Sequence, residues 1–346
     1  MRIMTQYVLA FWNVENLFAP EGYPAREPWI AERLKNDLKG WTEDLFKTKV
    51  KQLGLIISQI GGAGPDLLGV CEVENRFVLE TLAEHLNDLM PARSYRVVHA
   101  DSSKDQRGID TAFIYDSKKL LINENEIFSH FVMRRTGTRD ITQCTFITKG
   151  GRQLIALSNH WPSRSGGAVE SAGFRMTAGE TLGYWHQRIR EEKGNDIAVV
   201  AFGDFNDDPS DASLRYHANS TRERDDVENS QSAMFYNLTW NYLRQPVVDS
   251  VGTARTIYGT LYFNGDANIF DQILVSRSLL TGSSGFKARE ETAKIEAIAA
   301  MVSHSKNEGP IRFGLSKGDA VKNVNLGGFS DHFPVSVVVE EDDTIV

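Results

Sequence analysis

The sequence predicts an α/β protein in which several strands are buried on both faces. Short apolar runs recur along the 346 residues. Several of these runs are continuously apolar, which is typical of strands covered on both sides. Helical patterns lie between some of them. We expect strands at residues 7–12, 66–73, 95–99, 111–115, 153–158, 197–202, 269–275 and 334–339.

Three segments have the apolar spacing and end signals of helices. Thr42 can cap the first, and glycines 61–62 can end it. A second helix is expected to begin after Asn75, and a third to cover residues 175–193 before Gly194 stops it. The apolar stripe of the first helix comprises Leu45, Phe46, Val50, Leu53, Ile57 and Ile60.

Two segments interrupt this pattern. Residues 207–229 are polar and charged and predict a loop or insertion, and residues 281–325 are similarly irregular, with a helix expected near 291–301. The sequence shows no usable internal repeat and no low-complexity tract. We therefore expect one domain, residues 1–346, with surface insertions near 207–229 and 281–325.

The charge balance argues against a protein that coats nucleic acid without sequence preference. The chain has 38 Lys and Arg against 46 Asp and Glu, a formal net charge of −8, whereas such binding depends on neutralising many phosphates. The charge balance still allows local basic spots, such as Arg134, Arg135 and Arg139. An acidic pocket whose charge a bound metal offsets would add to the negative count.

Cysteine use and the N-terminal sequence indicate an intracellular protein. Only Cys71 and Cys144 are present, which suggests no disulfide framework. The apolar run near the N-terminus is interrupted at Asn13 and Glu15, too early for a signal peptide or a membrane span. We expect a cytoplasmic monomer without a membrane-spanning segment.

Polar clusters follow the predicted strands at the points where the strands end. Strand ends in α/β folds converge on one crevice, where binding sites usually lie. These clusters are therefore expected to form a single site. They occupy residues 13–16, 72–75, 159–164, 203–207, 271–272 and 330–332.

The residue types in these clusters suit the hydrolysis of a phosphate ester. Glu72 with Asn13 can offer hard oxygen ligands to Mg²⁺. Asp204 and Asn206 would project to one side of an extended segment, where one can activate water while the other holds it or a phosphate oxygen. His332 can contact the phosphate or take a proton, with a carboxylate such as Asp271 orienting its ring.

The same motifs, in this order, are similar to those of the endonuclease/exonuclease/phosphatase superfamily, which is deoxyribonuclease I-like. The resemblance covers residues 8–338 and is strongest to a bacterial nuclease-like branch. It implies an α/β (α+β) fold, a four-layer α/β/β/α sandwich of two mixed sheets. The matching segments are Trp12-Asn13-Val14-Glu15-Asn16, Glu72, Arg107-Gly108-Ile109-Asp110, Asn159-His160-Trp161-Pro162, Gly203-Asp204-Phe205-Asn206, Asp271-Gln272 and Ser330-Asp331-His332.

By this resemblance, each motif has an expected role. The metal, Mg²⁺ or Mn²⁺, would be held by Asn13 and Glu72, with Glu15 and Asp331 as second contributors. Asp204 and Asn206 would position or deprotonate the attacking water, His160 would contact the phosphate or assist the leaving group, and Asp271 would orient His332. The expected substrate contacts are Arg107, Arg164 and Asn159.

The sequence leaves the general base and the substrate open. Asp204 and His332 compete for the role of base. The leading function is nucleolytic cleavage of DNA or RNA, and the alternative is a phosphatase or phospholipase acting on an inositol phosphate, a lipid headgroup or a nucleotide. A non-catalytic scaffold is the third alternative. Glu74, at a position where the repair branch tends to carry Lys, argues against an abasic-site enzyme, as do His160 and Ser163.

Overall fold

Two large mixed β-sheets form the centre of the computed structural model, which describes residues 4–102, 107–133, 137–305 and 309–342. The strands in these ranges are β1 (Met4–Leu17), β2 (Leu67–Val73), β3 (Tyr95–His99), β4 (Asp110–Asp116), β5 (Leu120–His130), β6 (Ile141–Thr148), β7 (Gln153–His160), β8 (Ala198–Asp204), β9 (Ser220–Thr221), β10 (Phe235–Asn237), β11 (Gln245–Val248), β12 (Ala254–Ile257), β13 (Leu261–Phe263), β14 (Asp266–Asn268), β15 (Asp271–Ser276), β16 (Phe286–Ile295) and β17 (Val335–Asp342).

The strand order brings the ends of distant segments together. The first sheet has the order β16-β17-β1-β2-β4-β3, and the second has the order β5-β6-β7-β8-β15-β10-β9. The strand β8 is parallel to β7 and antiparallel to β15, with Asp204 opposite both His160 and Asp271. Three candidate site residues from three strands therefore lie side by side. The strands β11 and β12 form one small hairpin, and β13 and β14 form another.

Aromatic side chains fill the space between the two large sheets. Phe11 and Phe113 from the first sheet each lie 6.0 Å, between ring centroids, from Phe202 of the second. Gly69 makes this packing possible, because a Cβ at that position would lie 2.1 Å from the Phe202 ring. The close approach of the sheets at this point requires glycine.

Helices cover the outer faces of both sheets and complete four layers. The apolar stripe of α2 (Glu43–Ile57) joins the core of the first sheet. Ala178, Leu182 and Ile189 of α4 (Ala168–Lys193) pack with Leu157 and Ala201 of the second. None of the helices in the described ranges has the length and apolar content needed to cross a lipid bilayer. The helices are α1 (Pro28–Leu34), α2 (Glu43–Ile57), α3 (Arg76–Leu89), α4 (Ala168–Lys193), α5 (Arg224–Asn229), α6 (Arg277–Thr281) and α7 (Ala320–Asn323).

The expected fold class, a four-layer α/β/β/α sandwich, is confirmed, and each predicted strand corresponds to an observed one. The predicted Thr42 cap is present, since the Leu45 backbone N–H donates to its side chain, and the second helix begins after Asn75 as expected. The first helix ends at Ile57, before glycines 61–62, and Ile60–Gly62 form a separate 3₁₀ turn. The third helix begins at Ala168 instead of residue 175. The prediction of one domain over residues 1–346 stays a prediction.

The helix expected near residues 291–301 was wrong. Residues Phe286–Ile295 form β16, which pairs with β17, and only Ala299–Met301 make a 3₁₀ turn. The segment is rich in Glu, Ala and Lys, which favour helices locally, but tertiary pairing overrides that preference. The 207–229 segment, expected as a loop, also carries the π-turn Ser213–His217, β9 and α5.

Candidate active site

Four residues of the site have the left-handed backbone conformation, which residues other than glycine rarely adopt. Glu15, Asn16, Glu72 and Asn206 have φ values of 53°, 55°, 63° and 51°. Glu72 lies where the pairing of β2 with β4 shifts register, and Glu15 and Asn16 lie at a similar shift between β1 and β2. Such bulges re-aim side chains and are common beside active sites. Here they end the regular strands at one edge of the two sheets.

Asp271, His332 and Asp204 form a buried chain of ionisable groups. The His332 ring donates its Nδ1–H to Asp271 Oδ2 at 2.7 Å, and its Nε2 lies 3.8 Å from Asp204 Oδ2. Burial lowers the pKa of His332, but Asp271 and Asp204 outweigh burial and raise the pKa well above its usual value. This environment therefore favours the imidazolium form of His332.

The Asp204 carboxylate is held in place by two amide groups. Asn13 Nδ2 donates to Asp204 Oδ2 at 3.1 Å, and the Asn206 backbone N–H donates to Asp204 Oδ1 at 3.0 Å. Burial raises the pKa of Asp204 to about 6, with Asp271 adding to the rise while His332 and these hydrogen bonds oppose it. The Asn206 side chain in turn donates to the Trp161 carbonyl at 3.0 Å.

His160 lies between the carboxylates of Glu72 and Asp204. Its Nε2 is 3.7 Å from Glu72 Oε1 and 3.6 Å from Asp204 Oδ2. Burial lowers the pKa of His160 well below its usual value, and Arg139 and Arg107 add to the effect. The site therefore presents one neutral and one charged imidazole, separated by Asp204.

Glu72 and Asp331 are two carboxylates that could hold a cation. Both line a cavity of about 720 Å³. Burial opposes ionisation of Glu72, but Arg107 and His332 lower its pKa, whereas burial and Glu15 raise the pKa of Asp331 to about 6. Clustered carboxylates of this kind fit Mg²⁺ or Mn²⁺, which prefer hard oxygen ligands, and a bound cation would relieve the charge that raises the pKa of Asp331.

The other two expected metal ligands have their oxygens engaged within the protein. Asn13 Oδ1 accepts the Glu15 backbone N–H at 3.0 Å, so Asn13 bridges the β1 end and Asp204. The Glu15 carboxylate is buried and accepts hydrogen bonds from Arg312 and from the backbone of Phe313 and Gly314. Within the described residues, neither Asn13 nor Glu15 is part of the cavity lining.

The three expected substrate contacts occupy different positions. Arg107 lines the cavity, with its Nη2 3.2 Å from Asn16 Oδ1 and 3.4 Å from Glu72 Oε1. Asn159 is fully buried and donates to the backbone carbonyls of Leu157 and Phe202. It is therefore placed to hold strand ends and does not reach the cavity.

Arg164 supports the loop that follows β8. It donates to the Asn206 carbonyl at 2.8 Å and to the carboxylates of Asp207 and Asp211 at 2.8 and 2.6 Å. Its guanidinium also lies 4.7 Å from the centroid of the Phe270 ring. These contacts leave Arg164 outside the cavity lining and give it a part in fixing Asn206.

The cavity also contains residues that were not predicted as site residues. Arg312 and the aromatic side chains Phe174 and Phe263 lie on its wall, together with Arg139. Arg139 had been noted only as part of a basic spot, whose other members Arg134 and Arg135 lie outside the described residues. No local signal marks Arg312, which lies in the irregular segment before β17.

A second cluster of ionisable residues comprises His99, Asp101 and Asp110, and Asp110 is three positions after Arg107 in the chain. Ligand atoms of these three residues lie within 4.8 Å of one another. His99 Nε2 is 3.0 Å from Asp110 Oδ2, and the Ser102 backbone donates to Asp110 Oδ1 at 3.0 Å. Burial raises the pKa of Asp110 to about 6. Asp110 therefore holds the end of β3 at His99 and the backbone of Ser102 together.

The two facing sheets, with carboxylates and imidazoles gathered at their shared edge, form a deoxyribonuclease I-like fold. The chain belongs to the Endonuclease/Exonuclease/phosphatase family, whose sequence profile matches residues 8–341. Members of this superfamily are metal-dependent phosphoesterases that include nucleases and phosphatases. A search of curated protein sequences found no significant match.

Solved structures share the fold at low sequence identity. An endonuclease/exonuclease/phosphatase family protein from Bacteroides thetaiotaomicron has a TM-score of 0.55 and 14% identity, covering 99% of this chain and 97% of that one. The mannosyl-6-phosphatase Bt3783 from Bacteroides thetaiotaomicron VPI-5482 gives 0.53 and 15%, covering 96% and 99%. The human Nocturnin catalytic domain with bound sulfate gives 0.53 and 15%, covering 98% and 97%.

Proposed function

We propose that this chain hydrolyses phosphodiester bonds in DNA or RNA with the help of Mg²⁺ or Mn²⁺. The observation that carries the proposal is the fixed carboxylate of Asp204, held between the charged His332 and the neutral His160 at the wall of the cavity. A phosphoryl group in this cavity would contact a proton acceptor and a cation at the same time.

Asp204 is the better candidate for the group that orients and deprotonates water. Both ring nitrogens of His332 face carboxylates, Asp271 at 2.7 Å and Asp204 at 3.8 Å, and this arrangement favours the imidazolium. An imidazolium cannot accept a proton, but it can donate a hydrogen bond to a phosphate oxygen and stabilise developing negative charge. Asp204, fixed by Asn13 and Asn206, retains acceptor capacity.

Glu72 and Asp331 would hold the cation. When bound, it would polarise the phosphate and offset its negative charge. Arg107 already contacts Glu72, and its planar guanidinium is suited to a second, bidentate contact with a phosphate. In this proposal the chain supplies cationic side chains on several sides of the phosphoryl group.

The cavity wall favours a substrate that has flat rings beside its phosphate. Phe174 and Phe263 lie on the same cavity as Arg107, Arg139 and Arg312, and Phe263 is 67% exposed. Exposed aromatic rings beside arginines form stacking platforms for nucleobases. This combination supports nucleic acid as the substrate.

A small phosphoester is the second candidate. The cavity of about 720 Å³ lies within the size range of small-molecule sites, and the formal charge of −8 gives little general attraction for a long polyanion. An inositol phosphate, a lipid headgroup or a nucleotide would fit these two observations.

A substrate panel separates these functions. Supercoiled plasmid, single-stranded DNA and RNA oligonucleotides, bis(p-nitrophenyl) phosphate, inositol phosphates and phospholipid vesicles are each incubated with EDTA, Mg²⁺, Mn²⁺ or Ca²⁺. The proposal expects cleavage of nucleic acid with Mg²⁺ or Mn²⁺ and none with EDTA. Preferential hydrolysis of a small ester would favour the second candidate. If no member of the panel is hydrolysed, the result would favour a non-catalytic scaffold.

A further inference from the structure

The Glu15 carboxylate is saturated by hydrogen bonds from one segment of the chain. Arg312 donates to Glu15 Oε1 through Nε at 2.8 Å and lies 2.7 Å away through Nη2. The backbone N–H groups of Phe313 and Gly314 donate to Oε2 at 3.0 and 3.1 Å. A metal could bind this carboxylate only by displacing some of these four donors.

The backbone of Glu15 is fixed as well. The buried Lys49 donates its ammonium group to the Glu15 carbonyl and lies 5.3 Å from the centroid of the Phe313 ring. Glu15 has left-handed backbone, which directs its side chain towards the segment containing Arg312. The side chain and the backbone of Glu15 therefore both help to hold that segment against the end of β1.

Arg312 connects this anchor to the cavity. Its side chain is 61% exposed and lies on the cavity wall, and Nη2 is 3.9 Å from Asp331 Oδ2. One edge of the guanidinium, Nε and Nη2, is engaged by Glu15. A guanidinium has five N–H donors, so Nη1 and the second hydrogen of Nη2 remain for a ligand.

We infer that Arg312 binds a phosphate oxygen of the substrate and that Glu15 acts through Arg312 instead of through the metal. The inference rests on the proposed function in one respect, that the substrate carries a phosphoryl group. A guanidinium held by a carboxylate at one edge is pre-oriented, so it loses little freedom when the other edge binds an oxyanion. Glu15 is then a positioning residue, and Arg312 is a direct contact.

Binding measurements test this assignment without turnover. Mn²⁺ binding to the metal-free protein and inorganic phosphate binding to the Mn²⁺-loaded protein are measured by titration calorimetry for Glu15→Gln, Arg312→Ala, Arg312→Lys and Glu72→Gln. We expect Glu15→Gln and Arg312→Ala to change Mn²⁺ affinity much less than Glu72→Gln does and to weaken phosphate binding by about tenfold or more. Glu72→Gln should weaken Mn²⁺ binding by about tenfold or more.

A double variant separates positioning from a general structural effect. If Glu15 acts through Arg312, the Glu15→Gln/Arg312→Ala protein should bind phosphate no more weakly than Arg312→Ala alone. Arg312→Lys should recover only part of the phosphate affinity, because lysine keeps the positive charge but lacks a planar group that can donate hydrogen bonds from two edges. Arg222→Ala, which removes an exposed arginine paired with Glu223, is the control and should bind both ligands normally.

The result that would overturn the inference is a loss of Mn²⁺ affinity in Glu15→Gln as large as that in Glu72→Gln. Unchanged phosphate binding in Arg312→Ala would overturn it equally. Because the Arg312 side chain is largely exposed, we expect Arg312→Ala to fold. The test can therefore be completed even if Glu15→Gln does not fold. A substrate panel without hydrolysis would count against the proposed function, whereas these binding titrations would still test the roles of Glu15 and Arg312.

Discussion

The His332 imidazole donates to the Asp271 carboxylate at 2.7 Å, and Asp271 is fully buried behind it. This contact fixes the ring so that Nε2 faces Asp204 and the cavity. It also favours the imidazolium form of His332. The contact joins β15 to the segment before β17, which are 61 positions apart in the chain.

Asp271→Asn should reduce kcat while the protein stays folded. The amide can still occupy the space, but it no longer stabilises the imidazolium or selects the same ring orientation. We expect kcat to fall by at least about 100-fold with a smaller change in KM. The control is Asp249→Asn, which removes another carboxylate beside a histidine, His304, outside the cavity. Equal loss of activity in both variants would count against an active-site role for Asp271.

Asp204→Asn should abolish activity without destabilising the protein. Burial raises the pKa of Asp204 to about 6, so ionisation of this group opposes folding once the pH rises above the unfolded pKa. At pH 7 the neutral amide removes that cost, while kcat should fall by at least about 1000-fold. Thermal unfolding of the metal-free protein and steady-state kinetics check both parts. An active Asp204→Asn enzyme would exclude Asp204 as the proton acceptor.

His186 should make the protein sensitive to mild acid. Its ring stacks on Phe235 with a centroid distance of 3.7 Å, and burial lowers its pKa to about 3. The folded pKa is below the unfolded value, so stability is present above about pH 6.5 and is lost as the pH falls towards 3. Between pH 7.5 and pH 5 this residue should account for a loss of about 2 kcal/mol.

The test is urea unfolding of His186→Phe at these two pH values. The variant should lose about 2 kcal/mol less than the wild type between them, because the phenyl ring cannot bind a proton in the unfolded state. Tyr184→Phe, at an exposed position on the same helix as His186, serves as the control and should keep the wild-type dependence, because it removes no imidazole. Identical pH dependence in His186→Phe and the wild type would contradict the prediction.

Gly69→Ala should destabilise the protein through the contact between the sheets. The new methyl group would lie 2.1 Å from the buried Phe202 ring, which is enclosed by Phe11 and Phe113. We expect a loss of about 1 to 3 kcal/mol in the free energy of unfolding. Gly22→Ala is the matched control, because a Cβ at Gly22 meets nothing within 4 Å. A neutral Gly69→Ala would mean that the sheets do not approach each other so closely.

The strand ends could be predicted from sequence because their signal is local. An apolar run followed directly by Asp204 or Glu72 indicates both a strand and the polar residue at its end. β5 was missed because an edge strand tolerates polar residues such as Asn123 and Glu124, and β16 was missed because its composition favours a helix. Edge position and tertiary pairing are not encoded in local periodicity.

The wall of the site could not be predicted in the same way. The family resemblance implied Glu15 as a second contributor to the metal site, and the structure shows its carboxylate in contact with Arg312, which is 297 positions away in the chain. The direction of the Glu15 side chain depends on a left-handed backbone that sequence periodicity does not reveal. Arg312 itself lies in a segment without regular structure, so no pattern indicated its position.

The dependence of hydrolysis on a cation held by Glu72 tests the central claim most directly. The rate on the best substrate of the panel is measured as a function of Mg²⁺ or Mn²⁺ concentration for the wild type and Glu72→Gln, after removal of metal with EDTA. We expect no hydrolysis without metal, full recovery in the wild type, and a requirement for about 10 to 100 times more metal in Glu72→Gln. Hydrolysis that persists in EDTA, or equal metal requirements for the two proteins, would contradict the account.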